Sequence, residues 1–448
     1  LAAAGPEAAG RPSVPVNRGH VMHTYRFVLL LLCVVVPSTG QTALPFPDRT
    51  EPSLFPQTDP NPSQPLPEAV PPEDPPAAAI PQTSSLKLLF TGDIMGHDSQ
   101  IASALAQGGD RHDYRPCFQY LEPYFNQADL VIGNLEVTLA GPPYKGYPHF
   151  SSPDALADAL LEAGFDVLLT ANNHALDRGD AGVQRTIQQL RSRGILQTGT
   201  FRDGRHRELY YPLVLEKNGI RIALLNYTYG TNGLKADNPV AVNYIDTALI
   251  REDLLKASLA EPDLTILTVH WGNEYERMEN SRQQELGRFA FNNGADVIVG
   301  SHPHVVQPVK GVGRGNLVAY SLGNFISNQR PRYRDGGIVF EMEVVKDDAG
   351  TRVARHGYLP VWVHKPNTEK GPLFSLVPAA IDSVNYATMD LSPDDLILMR
   401  RFLSDTRMHL WGVDEVEPLW MDQSPAPGPD QPPVPGKEWP PVSMPDQP

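Results

Sequence analysis

Two cysteines, Cys33 and Cys117, are all that this 448-residue chain contains. Neither has the paired spacing of a zinc–thiolate site. Cys33 lies in a segment expected to be removed or membrane-buried, so no intrachain disulfide is expected. Basic charge is also scarce: 37 Lys and Arg stand against 52 Asp and Glu, a formal net charge of -15. That excludes a broad nucleic-acid-binding face, which needs clustered cations to neutralise phosphates. It leaves room for a small charged pocket. The chain also has no internal repeat.

The apolar run from Phe27 to Val36 is only about half the length of a membrane-spanning helix. With Arg26 before it and the small residues Ser38, Thr39 and Gly40 after it, residues 22–40 read as a signal peptide. An uncleaved anchor is the weaker reading. A lipoprotein is weaker still, because the residues preceding Cys33 are Leu. The protein is therefore expected to be exported, to the periplasm or the cell envelope. Residues 1–21 carry no targeting logic and are expected to be upstream translated sequence, with Met22 as the start. Residues 41–85 are dense in Pro with Gln, Ser, Glu and Asp, and residues 421–448 repeat that composition. Such segments bury too little apolar surface to offset their ordering entropy, so both are expected to be disordered around a folded domain at 86–420.

Inside that domain, helix patterns ending in Gly alternate with apolar strands. Ser152-Pro153-Asp154 opens a helix that Gly164 closes, and FDVLL follows. Asp180 to Arg193 is closed by Gly194 before ILQTG, and Gln283 to Asn293 by Gly294 before DVIVG. This is the grammar of an α/β fold. RIALLNY (221–227) and LVAYSLG (317–323) read as further buried strands. IVFEMEVV (338–345) alternates and suits an antiparallel strand nearer an edge. Ser392 to Met408 reads as a capped C-terminal helix.

Five apolar runs end in metal-ligand residues. Asp93 follows LKLLFTG, Asn134 and Glu136 follow or end ADLVIG, and Asn173 and His174 follow FDVLLTA. His270 follows TILTV, and His302 and His304 follow DVIVGS. Imidazole is the commonest biological metal ligand. Open α/β sheets bind ligands beyond the carboxyl ends of their strands. One Asp or Asn there would be an ordinary turn former, but five strand ends together read as one metal centre.

TGDIM, IGNLE, TANNH, HWGNEY, GSHPH and YSLGNF, in this order from about Leu86 to Gly337, resemble the motif series of the CapA capsule-synthesis proteins (poly-γ-glutamate type). These are a branch of the calcineurin-like metallophosphoesterase superfamily. The resemblance implies a two-sheet α/β/β/α sandwich with two metal ions at strand ends. It implies Asp93 and His304 as ligands of the first ion, Asn173, His270 and His302 as ligands of the second, and Glu136 as the bridge. His174 is implied as proton donor to the leaving group. The chemistry implied is two-metal hydrolysis, and mixed imidazole and carboxylate ligands suit Mn, Fe or Zn. Two departures from the superfamily pattern stand out. Met95 occupies the position of a ligand His, and Ala175 that of an acid. His97 is either a replacement ligand or an exposed loop histidine.

Several residues keep two readings at this point. Lys145, Tyr147 and His149 contact an acidic substrate or belong to a packed loop. Arg178 pairs a substrate anion or forms a structural salt bridge. Glu274 orients a ligand histidine, and Trp271 packs. Asn324 lies near the metals or forms a turn. Cys117 is a bystander rather than a nucleophile. The function implied is a hydrolase or transferase acting on an anionic cell-surface polymer or a phosphoester. The alternative is a non-catalytic, polymer-binding component of a membrane synthesis or export complex.

Overall fold

The computed structural model describes residues 83–236, 239–313, 315–379 and 389–416. The expected leader and tail, and nearly all of the Pro-rich tether, fall outside these residues. Among the described residues no helix is long and apolar enough to cross a membrane.

Two sheets face each other. The larger has the strand order Ser375–Pro378, Gly350–His364, Gly336–Asp347, Ser84–Ile94, Leu130–Leu135, Val167–Leu169, Leu196–Thr198, and Asn324–Ile326 pairs with the end of Ser84–Ile94. The smaller runs Val309–Val312, Asn316–Ala319, Val297–Ser301, Leu264–His270, Ile220–Thr228, Leu213–Lys217. Within each sheet the strands that carry the site run parallel to one another, and Ser84–Ile94 also pairs antiparallel with Gly336–Asp347.

The two-residue period of a strand sorts its side chains between two layers. Leu86, Leu88 and Phe90 meet Ile132, Ile222, Leu224, Ile266 and Val299 in a core between the sheets. The alternate residues Leu89, Val131 and Leu168 pack outward against Phe118, Leu156 and Leu160. On the second sheet Leu225, Leu267 and Ile298 turn to Ile250, Leu254 and Ala290 of the other helical layer. The layers are therefore α/β/β/α, as the family resemblance implied. Strands buried on both faces read as unbroken apolar runs, and each fully buried Leu or Ile contributes roughly 1.5–3 kcal/mol.

Helix boundaries shift by a residue or two. The helix expected from Ser152-Pro153-Asp154 spans Ala155–Glu162, with Asp154 already in helical conformation. Ser281–Asn292 starts earlier than expected because Asn280 and Gln283 form a reciprocal capping box. Ser392 and Asp395 do the same for Pro393–His409, which packs Met399 and Phe402 against Trp362. Strand 317–323 is shorter than expected, ending at Ala319. The IVFEMEVV run is not at an edge: Gly336–Asp347 is paired on both sides, by Ser84–Ile94 and Gly350–His364. Its Glu341 is held by partners remote in sequence, accepting from the Tyr124 hydroxyl at 2.6 Å and pairing with the half-buried Lys87 at 2.8 Å.

Candidate metal centre

All five ligand-bearing strand ends meet at one place. Asp93 sits where the register of Ser84–Ile94 shifts against both of its parallel neighbours. The preceding Gly92 is required there, because a Cβ would fall 2.0 Å from the Gly323 carbonyl oxygen. Glu136 follows directly on Leu130–Leu135, and Asn173 and His174 lie in the loop just after Val167–Leu169. His270 is the last residue of Leu264–His270, and His302 and His304 follow Val297–Ser301. These are carboxyl ends, the topological place for a ligand in a parallel sheet.

The side chains form two groups that share one carboxylate. In Asp93, Glu136 and His304, and again in Glu136, His270 and His302, the potential ligand atoms lie within 4.8 Å of one another, and all five residues are buried. Glu136 Oε1 is 3.7 Å from His270 Nε2 and 3.8 Å from His304 Nε2. His304 Nδ1 is 3.2 Å from Asp93 Oδ2, and His270 Nε2 is 2.9 Å from the Asn173 amide oxygen. Both Glu136 oxygens and His302 Nδ1 are buried with no hydrogen-bond partner. An orphaned buried carboxylate costs several kcal/mol unless a cation compensates it, so these buried groups fit a divalent metal. His302 and His304 hold φ of +100° and +56°, a strained backbone that concentrates at functional sites.

The electrostatics agree with the geometry. Burial, and then the Asp93 carboxylate, push Glu136 well above the usual carboxylate range. Burial holds His270 far below the ordinary imidazole value, helped by His302 and His304. Burial, and then His304, lower His302 to about 3. Both imidazoles are thus neutral at pH 7, the form that binds a metal.

Around these groups lies a set of orienting contacts. Asn134 Nδ2 donates to Asp93 Oδ1 at 2.8 Å, and Asn172 Nδ2 donates to Asn134 Oδ1 at 3.3 Å. Asn324 Oδ1 is 3.1 Å from His304 Nδ1, while its Nδ2 donates to the Arg334 carbonyl at 2.8 Å. Ser301 Oγ sits 2.9 Å from His270 Nδ1. Such partners fix which ring nitrogen faces a metal.

His174 stands apart from both groups. Its Nδ1 donates to Asp177 Oδ2 at 2.7 Å, and its ring meets Phe150 edge-on at 4.6 Å between centroids. Asp177 Oδ2 also accepts from the Phe150 backbone N–H at 2.7 Å. With Nδ1 engaged, Nε2 is left for proton transfer. Sequence reasoning missed Asp177 as the partner of His174. The i, i+3 spacing was the available signal, and it carried little weight without knowing that Asp177 would be buried.

Other residues fall elsewhere. His97 is half-buried at the N-terminus of helix Asp98–Gly108, and its Nδ1 lies 2.9 Å from Gln100 Oε1 and 3.3 Å from the Asn328 N–H. It belongs to neither ligand group. Met95 is core. Lys145 pairs with Asp98 at 3.3 Å. Arg178 donates to the Pro143 carbonyl at 3.1 Å, so the salt bridge considered for it is replaced by a loop contact. Glu274 is exposed. The expected orienting role toward His270 falls to Ser301 instead, because Glu274 lies beyond the strand end in a solvent-facing turn. Trp271 packs on Tyr320 and donates to its carbonyl at 2.9 Å. Burial pushes the Cys117 thiol up to about 12.

Fold and site together define an α/β/β/α sandwich with a buried His/Asp/Glu centre at its strand ends. The sequence profile of the bacterial capsule synthesis protein PGA_cap matches residues 87–329, more than half of the chain. This chain belongs to that family, which is the CapA type. It is 31% identical over 291 residues to the PGA biosynthesis protein CapA of Bacillus subtilis (strain 168), covering 62% of this chain and 72% of the relative. It is 31% identical over 277 residues to the capsule biosynthesis protein CapA of Bacillus anthracis, covering 58% of this chain and 64% of that one. Among solved structures, NAD nucleotidase (NadN) of Haemophilus influenzae is similar, with 14% identity and a TM-score of 0.42, over 73% of this chain and 68% of that chain.

Proposed function

We propose that this protein is an exported, dinuclear metal-dependent hydrolase or transferase of capsule synthesis, acting on an anionic cell-surface polymer of the poly-γ-glutamate kind. The observation that carries this reading is Glu136. It is fully buried, neither oxygen has a partner, and it belongs to both ligand groups. A single carboxylate common to two sets of imidazole and carboxylate donors suits two ions with one bridge.

Asp93 and His304 would hold one ion, and His270, His302 and the Asn173 amide oxygen the other. Donors of this kind suit Mn, Fe or Zn. When bound, the ions supply Lewis-acid polarisation and a nucleophile drawn from water at neutral pH. The chain's own part is orientation and proton transfer. Asn134 and Asn324 fix Asp93 and His304, and Ser301 fixes His270. His174, steadied by Asp177 and walled by Phe150, would deliver a proton from Nε2 to the leaving group.

Metal analysis of the purified protein after mild isolation and after readdition of Mn or Zn tests the site. A screen of phosphoesters against γ-glutamyl polymers then tests the chemistry. No bound metal under either condition overturns the dinuclear reading. Metal without turnover on any substrate leaves a metal- and polymer-binding component of the synthesis complex. Export is tested by mass spectrometry of the protein from its host, with loss of residues through about Gly40 as the expected result.

A further inference from the structure

The segment 328–335 carries three arginines, and they are not used alike. Arg332 forms a two-pronged bridge to Asp405, at 2.8 and 2.6 Å. Arg330 donates to the Val363 carbonyl at 2.7 Å. Arg334 has no ion pair or side-chain hydrogen bond among the described residues. Its guanidinium instead lies on the face of Tyr275, 3.4 Å from the ring centroid. Glu274, next in the chain to Tyr275, forms no ion pair with this cation.

Stacking holds a guanidinium by its plane and leaves its in-plane N–H donors free at the edge. That edge is the part that matches two oxygens of a carboxylate or phosphate. The placement is also tied to the metal centre. The Tyr275 N–H donates to the Pro303 carbonyl at 2.7 Å, within the His302-Pro303-His304 turn. The Tyr275 ring lies 6.0 Å from the His304 ring. The Arg334 carbonyl accepts from Asn324, whose oxygen contacts His304. Tyr275 and Tyr333 both sit at positive φ, +69° and +73°, so the backbone on each side of the stack is held in a conformation that costs energy.

We propose that Arg334, presented on Tyr275, is a specificity-determining residue that receives an anionic group of the substrate, a carboxylate or phosphate, beside the metal centre. This rests on the hydrolase reading above. A polymer with a charged group on every unit would place one such group here while a neighbouring bond lies at the ions. Arg334 touches the substrate away from the bond that breaks, so it acts on binding and register rather than on proton transfer.

The test is titration calorimetry on the metal-loaded protein with three probes: a short γ-glutamyl oligomer, the same oligomer with its free carboxylates converted to carboxamides, and inorganic phosphate. The wild-type protein should bind the charged oligomer or phosphate. Arg334→Gln should bind that probe about 10- to 100-fold more weakly, the scale of a charge-assisted hydrogen-bond pair. Arg334→Lys should recover part of the loss, because it restores the charge without the fork. The carboxamide oligomer should bind wild type and Arg334→Gln equally. Which charged probe is sensitive to the substitution identifies the anion as carboxylate or phosphate. Metal content and melting temperature should not change in either variant. Arg334→Gln binding both charged probes as tightly as wild type overturns the proposal, as does failure of wild type to bind either. Loss of metal in Arg334→Gln overturns it too, in favour of a structural role. A protein that holds metal and turns over substrate, yet is indifferent to Arg334→Gln, overturns this assignment alone. A protein that binds no metal overturns the hydrolase reading instead.

Discussion

Replacing Glu136 with Gln should change stability in opposite directions with and without metal. In the metal-free protein Glu136 is fully buried beside the like-charged Asp93, and no donor holds either of its oxygens in the ionised form. Its penalty has a ceiling, because the carboxyl can always take up a proton. Protonating a group of ordinary value 4.5 at pH 7 costs roughly 3 kcal/mol, at 1.36 kcal/mol per unit. The Gln amide removes the charge but remains a buried polar group short of partners, which costs about 1–2 kcal/mol. Metal-free Glu136→Gln should therefore be more stable than metal-free wild type by about 1–2 kcal/mol, a rise of a few degrees in melting temperature. With metal the order reverses. Wild type gains about 4 kcal/mol at a metal concentration of ~1,000 Kd, whereas the variant lacks the charged donor common to both ligand groups and gains much less. Four thermal melts, each protein with chelator and with Mn or Zn, give the answer without any knowledge of the substrate. If metal-free Glu136→Gln is the less stable, Glu136 has a structural partner and the orphaned-carboxylate argument fails. If metal stabilises both proteins equally, Glu136 is not a ligand.

His174→Asn should keep metal and fold while losing roughly 10²–10⁴-fold in rate on substrates with poor leaving groups. The loss should shrink for good leaving groups; co-purified metal falling with the rate would make His174 a ligand. Asp177→Asn should follow the same pattern with a smaller loss, because its amide presents a donor where His174 Nδ1 needs an acceptor, and a rate equal to wild type refutes the dyad. Metal-free Glu136→Gln, in which the opposing titration of the raised Glu136 carboxyl is removed, should lose stability as pH falls. His270 and His302 have folded values depressed below 6.5, to about 3 for His302, so their contribution is present above 6.5 and declines as pH drops toward 3. Denaturant melts across that range check the sign. Cys117, buried with its thiol pushed up to about 12, should resist alkylation in the native protein and react readily once denaturant unfolds it.

The α/β class was legible because double-sided burial leaves a plain trace: apolar runs such as LKLLF and DVIVG, separated by helices that end in Gly; the division into two sheets came only from the family resemblance. The strand Gly350–His364 escaped the same reading. Its first half exposes Arg352 and Arg355, and Pro360 interrupts its second half, a residue that argues against an interior strand when only sequence is in view. It nevertheless pairs along most of its length with Gly336–Asp347 and again with Ser375–Pro378. The edge assignment for Ile338 to Val345 failed for a related reason. Alternating Glu residues signal solvent until Lys87 and Tyr124, remote in sequence, supply Glu341 with partners.

Ligand-type residues could be found at strand ends because their chemistry is rare there and position along the chain fixes their place. Their orienting partners follow different rules. Ser301, Asn134, Asn324 and Asp177 are residue types that turns use everywhere. What makes them functional is the direction in which each side chain leaves the backbone, and that depends on contacts between segments far apart in the sequence. Asn324 reaches His304 because Asn324–Ile326 is drawn onto the end of Ser84–Ile94, a pairing that no local pattern encodes. Arg334 depends on one more such step, since its stack on Tyr275 exists only when the turn after His270 and the turn before Gly336 are folded against the same histidine loop. The proposed metal-binding set can therefore be read one strand at a time, whereas the residues proposed to aim it and to receive a substrate anion belong to the assembled sandwich.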